Sequence, residues 1–74
     1  MKNIGKVLHA AGKNNVIVST INKIDVNSKV YDYKGRELGR VVDVLGSVKN
    51  PYLLISPKKG IRVTELIDKE LYGK

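Results

Sequence analysis

Gly35-Arg36-Glu37-Leu38-Gly39-Arg40-Val41-Val42-Asp43-Val44-Leu45-Gly46-Ser47-Val48-Lys49-Asn50-Pro51-Tyr52 sets a turn, a long strand, a loop and the start of a second strand in one unbroken stretch. Aliphatic and β-branched residues dominate Glu37 to Leu45, a composition that suits a pleated, half-buried backbone. Gly46 ends that strand, and Pro51 precedes the next, Tyr52-Leu53-Leu54-Ile55. A proline is tolerated there because the first residue of a strand need not donate its amide. Upstream, Asp32-Tyr33-Lys34-Gly35 reads as a turn across which Lys29-Val30-Tyr31 pairs back on the long strand.

The pattern continues outward in both directions. Ile4 to Ala10 predicts a first strand, closed by Gly12-Lys13-Asn14-Asn15, and Val16-Ile17-Val18-Ser19 a second. Ile21 to Ser28 alternates poorly and reads as a loop. Helical character is confined to Val63 to Asp68, with Thr64 as its cap and Leu66-Ile67 facing inward. Leu71-Tyr72 supplies a last short strand. Closely spaced strands with one short helical turn predict an all-β fold, a small closed barrel in which closure removes exposed edges. The expectation is one domain spanning residues 1–74.

A domain this short buries only about 60% of the surface its unfolded chain exposes. Its thin core leaves little for a walled catalytic cleft, so a self-sufficient enzyme is disfavoured. The chain has no cysteine, which excludes disulfides and thiolate metal sites and fits a reducing cell interior. Its start, Met1 to Lys6, lacks the apolar core of a signal peptide. No segment approaches the roughly 20 apolar residues that a membrane span requires. A soluble, cytoplasmic protein with no membrane partner and no cofactor is expected. Fourteen basic against seven acidic residues give a net charge of +7. Such a field points to RNA nearby, or to a lysine-rich surface serving solubility or heat adaptation.

Three strands break the alternation expected of a half-buried sheet: Val16-Ile17-Val18, Val41-Val42 followed by Val44-Leu45, and Leu53-Leu54-Ile55. One face of each fills the barrel. The other points outward, where so little helix exists to cover it that a partner is expected there. β-branched residues also favour strands whichever way they face, which is the plainer account.

The segment from Gly35 to Tyr52 resembles the core of the Gar-type subunit of H/ACA ribonucleoproteins, the RNA-guided particles that convert uridine to pseudouridine. That family reads glycine, a basic residue, Val-x-Asp, an apolar pair, Gly-Pro-Val, two variable residues and Pro-Tyr. The likeness extends to Gly5-Lys6-Val7-Leu8-His9, Lys29-Val30-Tyr31-Asp32 and Lys69-Glu70-Leu71-Tyr72, and so covers nearly the whole chain. Ser47 departs from it, standing where the family commonly has proline. The glycine/arginine-rich tails of eukaryotic members are absent, so the chain looks like the archaeal, core-only form.

The resemblance implies a six-stranded barrel related to those of translation factors. It implies docking on the catalytic domain of a dyskerin-like pseudouridine synthase, whose substrate-gating loop the subunit steadies, in support of rRNA pseudouridylation and ribosome biogenesis. The catalytic aspartate then belongs to the partner, and contact with H/ACA guide RNA is mostly indirect. An isolated subunit of this kind is also expected to self-associate through its apolar band.

Val44, Leu45, Val48, Pro51 and Tyr52 are the leading interface candidates, an apolar group with a phenol at its edge. Val44 and Tyr52 could instead close the barrel's own core. Leu45 and Val48 are harder to place inside, because the chain is expected to turn there. Gly39 and Gly46 read as backbone devices, marking a bulge or a barrel corner. Asp43, a lone acid in an apolar strand, has no carboxylate or histidine at a suggestive spacing and is expected to bond a loop amide or a basic partner residue. His9 is the single histidine and lacks companions for a metal site. Lys58-Lys59-Gly60 and Arg62 form the densest basic run, either meeting phosphates as sequence-blind charges or lying in a solvated loop.

Two other readings compete. A direct RNA-binding barrel would use Tyr31 and Tyr33 with Lys34 and Arg36 as a stacking group. An assembly module of the PRC-barrel or ribosome-maturation type shares the Gly35 to Val44 turn and strand.

Overall fold

The computed structural model of the chain describes residues 2–20, 24–46 and 49–73. Six strands are present: β1 (Lys2–Ala11), β2 (Asn15–Ser19), β3 (Lys29–Tyr31), β4 (Glu37–Gly46), β5 (Pro51–Pro57) and β6 (Glu70–Gly73). They close into an antiparallel barrel in the order β1-β2-β5-β4-β3-β6. A short helix, α1 (Val63–Leu66), precedes β6. The expected all-β class and six-stranded closure are what the structure shows.

Alternation explains the core. On β2, Val16 and Val18 are buried and Ile17 faces outward; on β5, Leu53 and Ile55 are buried and Leu54 faces outward. Val7, Val30, Leu38, Val41 and Leu71 complete the barrel interior, and Leu66 of α1 joins them.

Register shifts interrupt four of the ladders, and two of them decide which residues of the β1-β2-β5-β4 wall look outward. Val41 pairs with Ile55 and Asp43 with Leu54, leaving Val42 as the extra residue. Beyond it the parity of β4 is reversed, so Asp43 and Leu45 face outward while Val44 stands opposite the buried Leu53. A second bulge between Val7 and His9 turns His9 outward, opposite Ile17. Gly39 adjoins a further irregularity, where Val30 faces Gly39 and Tyr31 faces Glu37 with Leu38 as the extra residue, and it also serves a close approach between strands: a Cβ there would overlap the Ser56 carbonyl oxygen.

The sequence placed some boundaries differently. The helix ends at Leu66, short of Asp68, which turns back with φ 65°. Its N-cap is Arg62, not Thr64. The Arg62 amide donates to Glu65 Oε2 at 2.9 Å and the Glu65 amide returns to the Arg62 carbonyl at 3.0 Å, so the acid three residues on fixes the helix start. The chain does not turn at Leu45: β4 runs on through Gly46. Of the expected loop Ile21 to Ser28, residues 21–23 lie outside the described residues, and residues 24–28 form no strand.

Candidate functional site

Strand register lays out the outer wall row by row. In one row, His9 faces Ile17, Ile17 faces Leu54, and Leu54 faces Asp43. In the next, Lys6 faces Ser19, Ser19 faces Tyr52, and Tyr52 faces Leu45. The centre of both rows is uncharged, with Lys6 and Asp43 at the margins. Ile17 and Leu54 are half-buried by their neighbours. Leu45 and Tyr52 remain 39% and 41% exposed, which rules out the alternative that Tyr52 closes the core.

The end of the β4–β5 hairpin presents the wall to solvent. β3 accompanies β4 only as far as Lys29 opposite Arg40, with Val41 adding bonds to Asn27 and Ser28. From Asp43 onward, β4 has β5 on one side and no strand on the other among the described residues. Val44 therefore stays 40% exposed although it shares a face with buried Leu53. Its amide is bonded at 2.8 Å by Asp43 Oδ1, so the carboxylate satisfies a backbone group of its own strand. Where a loop amide or a basic partner residue is expected, Asp43 instead accepts from the amide of the next residue on the same strand.

Gly46 shapes the hairpin tip. Its φ of 86° lies in the left-handed region that a glycine enters without steric cost. Pro51 is half-buried, and its carbonyl accepts the Thr20 amide at 3.2 Å, which ties the tip to the chain leaving β2. Val48, the remaining interface candidate, and Ser47 lie outside the described residues. Leu45 stands beside Tyr52 and Gly46 beside Pro51 at the hairpin tip, while Val44 lies on the other face of β4, opposite Leu53. Ile17 and Leu54, which extend the wall onto β2, were not singled out individually, although the unbroken apolar runs containing them were the signal.

His9 and Asp43 stand at the two ends of one row, three strand spacings or about 14 Å apart. An acid–base pair requires hydrogen-bond reach, directly or through one water. Among the described residues, the His9 ring bonds the neighbouring Ala10 carbonyl, at 2.9 Å. Among the described residues no three His, Asp or Glu side chains gather as metal ligands.

The basic residues lie elsewhere. Lys58 and Lys59 follow β5, and Arg62 opens α1. With Lys13 and Asn14 of the β1–β2 turn, the segment Gly60–Thr64 lines an open hollow of about 610 Å³. Tyr31 and Tyr33 do not make one platform. Tyr31 is half-buried in the barrel wall opposite Tyr72, while Tyr33 is 71% exposed on the following turn with Lys34 Nζ 5.6 Å from its ring centre. Asp32 organises that turn, its Oδ1 accepting the Lys34 amide at 2.9 Å and the Arg36 amide at 2.8 Å. The Arg36 amide bond is the main reason the Asp32 carboxyl sits below its ordinary pKa; desolvation, the next largest influence, opposes it, and the Lys34 amide and both nearby cations add to the lowering.

A closed barrel with an uncharged apolar wall at one end and cations at the other defines a small binding module. The chain belongs to the Gar1/Naf1 family, whose model, described as the Gar1/Naf1 RNA binding region, matches residues 1–74. It is thereby placed with RNA-binding proteins of ribonucleoprotein particles. It is similar to an uncharacterized protein of Methanothermobacter thermautotrophicus, 30% identical over 61 residues, which cover 82% of this chain and 66% of the relative. The chain thus spans just under two thirds of that protein's length. No helix among the described residues is long and apolar enough to cross a membrane.

Proposed function

We propose that this chain, a single barrel domain over residues 1–74, is a non-catalytic accessory subunit of an archaeal H/ACA ribonucleoprotein acting in the cytoplasm. Its outer wall docks on the catalytic domain of a dyskerin-like pseudouridine synthase and steadies that enzyme's substrate-gating loop, supporting rRNA pseudouridylation and ribosome biogenesis. The catalytic residues are the synthase's own.

The observation that carries this reading is the uncharged band of Ile17, Leu54, Leu45 and Tyr52 on the outer wall, in a chain of net charge +7. An apolar group left at the surface of so charged a protein is best explained by a covering partner. Tyr52 suits the centre of such a contact, since tyrosine buries a large area with few rotatable bonds and keeps one hydrogen-bonding group. Membership of the Gar1/Naf1 family supports the particle to which the partner belongs.

Calorimetric titration of the chain into a dyskerin-like synthase from the same source tests it. Tight one-to-one binding is expected. Leu45→Asp combined with Tyr52→Ala should weaken it by at least about 100-fold, the loss typical of two central interface residues, while the melting curve stays cooperative. Undiminished binding by that double variant, or no binding by the parent chain, refutes the proposal.

A further inference from the structure

We propose that the end of the barrel opposite the apolar tip is a site for the phosphodiester backbone of RNA, held between Lys13 on the β1–β2 turn and Arg62 at the start of α1. The inference rests on the ribonucleoprotein reading only in naming RNA as the polyanion; the site itself is read from the register and the charges.

Register fixes the two ends. Tyr52, at the start of β5, pairs with Ser19 at the finish of β2, so the hairpin tip and the chain leaving β2 share one end. At the other, Val16 near the start of β2 pairs with Ile55 near the finish of β5. The Gly12–Asn14 turn and the segment after Pro57 therefore meet there, although Lys13 and Arg62 are far apart in sequence. Gly39 pairs with Pro57, which brings the turn of Tyr33, Lys34 and Arg36 to the same end.

The charges at this end are largely uncompensated. The ion pairs among the described residues are Lys29 with Glu37 at 3.8 Å and Arg36 with Asp32 at 3.6 Å. Lys13, Lys58, Lys59 and Arg62 enter neither. Glu65 is the acid beside the hollow, and one of its oxygens is engaged by the Arg62 amide.

The hollow of about 610 Å³ between Lys13 and Arg62 is open and has further polar groups in Asn14 and Thr64. No aromatic side chain lines it, so bases have nothing to stack on. Cations with amide and hydroxyl donors but no stacking surface bind phosphates without reading sequence. Phosphate oxygens are favoured over peptide carboxylates because the family is RNA-binding, and a lysine point charge with an arginine fork beside it suits neighbouring phosphates of one strand. The site lies at the other end of the barrel from the proposed protein-docking tip, so one subunit can hold both partners at once.

Fluorescence anisotropy of the full chain with labelled single-stranded polyuridine, between about 50 and about 200 mM salt, tests the site. Each phosphate contact on a single strand contributes about 0.7 to the slope of log affinity against log salt. Lys13→Ala combined with Arg62→Ala should flatten that slope by about 1.4 and weaken low-salt binding roughly tenfold. Leu45→Asp with Tyr52→Ala should leave both quantities unchanged. An unaltered slope in the Lys13/Arg62 variant overturns the proposal, as does a loss found only with Lys58→Ala and Lys59→Ala. Equal competition by polyglutamate overturns it in favour of an acidic polypeptide. Both substituted residues are exposed, and a melting curve matching the parent excludes unfolding as the cause. The titration contains no synthase, so RNA binding can hold while the accessory-subunit reading fails, and the reverse.

Discussion

The ring of Tyr52 lies over Gly46 so closely that a Cβ on residue 46 would come within 3.1 Å of Tyr52 Cδ2. Two separate constraints therefore require glycine here. The backbone is left-handed, and the aromatic face of the proposed docking wall rests on the empty side of the residue. An L side chain in the left-handed region costs roughly 1–2 kcal/mol. Gly46→Ala should lower the melting temperature by about 4–16 °C, given roughly 4–8 °C per kcal/mol in a domain this small. It should also weaken synthase binding, because the ring must shift. Thermal unfolding and titration of one variant separate the two effects.

Adjacent residues of β5 should behave very differently. Leu53 is fully buried and Leu54 is half-buried on the outer wall. Truncating a buried leucine to alanine costs about 2–5 kcal/mol, through lost transfer energy and the cavity left behind. For a chain whose whole stability is roughly 4–11 kcal/mol, Leu53→Ala should move the urea midpoint by a large fraction of its value. Leu54→Ala should move it by less than half as much and should appear instead as weaker binding to the synthase. A larger stability loss from Leu54→Ala would show that its side chain belongs to the core.

What the sequence made legible follows from how local each determinant is. Strand composition and turn chemistry are local, so the strands around Gly12 to Asn15, Asp32 to Gly35 and Gly46 to Pro51 could be placed from the residues themselves. The unbroken runs at Val16–Val18 and Leu53–Ile55 also announced an outer apolar face. The bulge at Val42 was not legible, because no glycine marks it and valine fits a regular strand equally well. That bulge decides that Leu45 faces outward and Val44 shares a face with Leu53. The partnership of Lys13 with Arg62 around one hollow is a product of barrel closure alone, and no local pattern encodes it. Thr64 looked like a cap because threonine often is one; Glu65 reaching back to Arg62 sets the helix start instead.

Gly39 tests the packing of β4 against β5. A Cβ at this position would overlap the Ser56 carbonyl oxygen and lie 2.9 Å from the Pro57 Cα, both of them backbone atoms that cannot swing aside. Gly39→Ala must push the two strands apart, with a cost near the upper end of overpacking, about 3 kcal/mol. Its melting temperature should fall by more than about 12 °C. Gly35 is the comparison: φ is 88° but nothing lies within 4 Å of its added Cβ. Gly35→Ala carries backbone strain without a clash and should cost roughly 1–2 kcal/mol. An unchanged melting temperature in Gly39→Ala would mean that strand proximity at Gly39 contributes nothing.

Asp32 gives the fold an acid-sensitive turn. Its carboxyl is held below the ordinary value of 3.8, chiefly by the Arg36 amide. A carboxyl with a lower pKa folded than unfolded stabilises the fold in its charged form. That contribution is complete above the unfolded value and fades as pH falls from there through the folded one. Asp32→Asn keeps an oxygen for the Lys34 and Arg36 amides and removes the charge, so the comparison isolates the ionic part. The variant should melt slightly below the parent at neutral pH, and the two curves should converge as the pH drops below 3.8. Both forms share every other carboxyl, so their common acid destabilisation cancels in the difference. A gap that persists unchanged into strong acid would show that the charge of Asp32 contributes nothing to the turn.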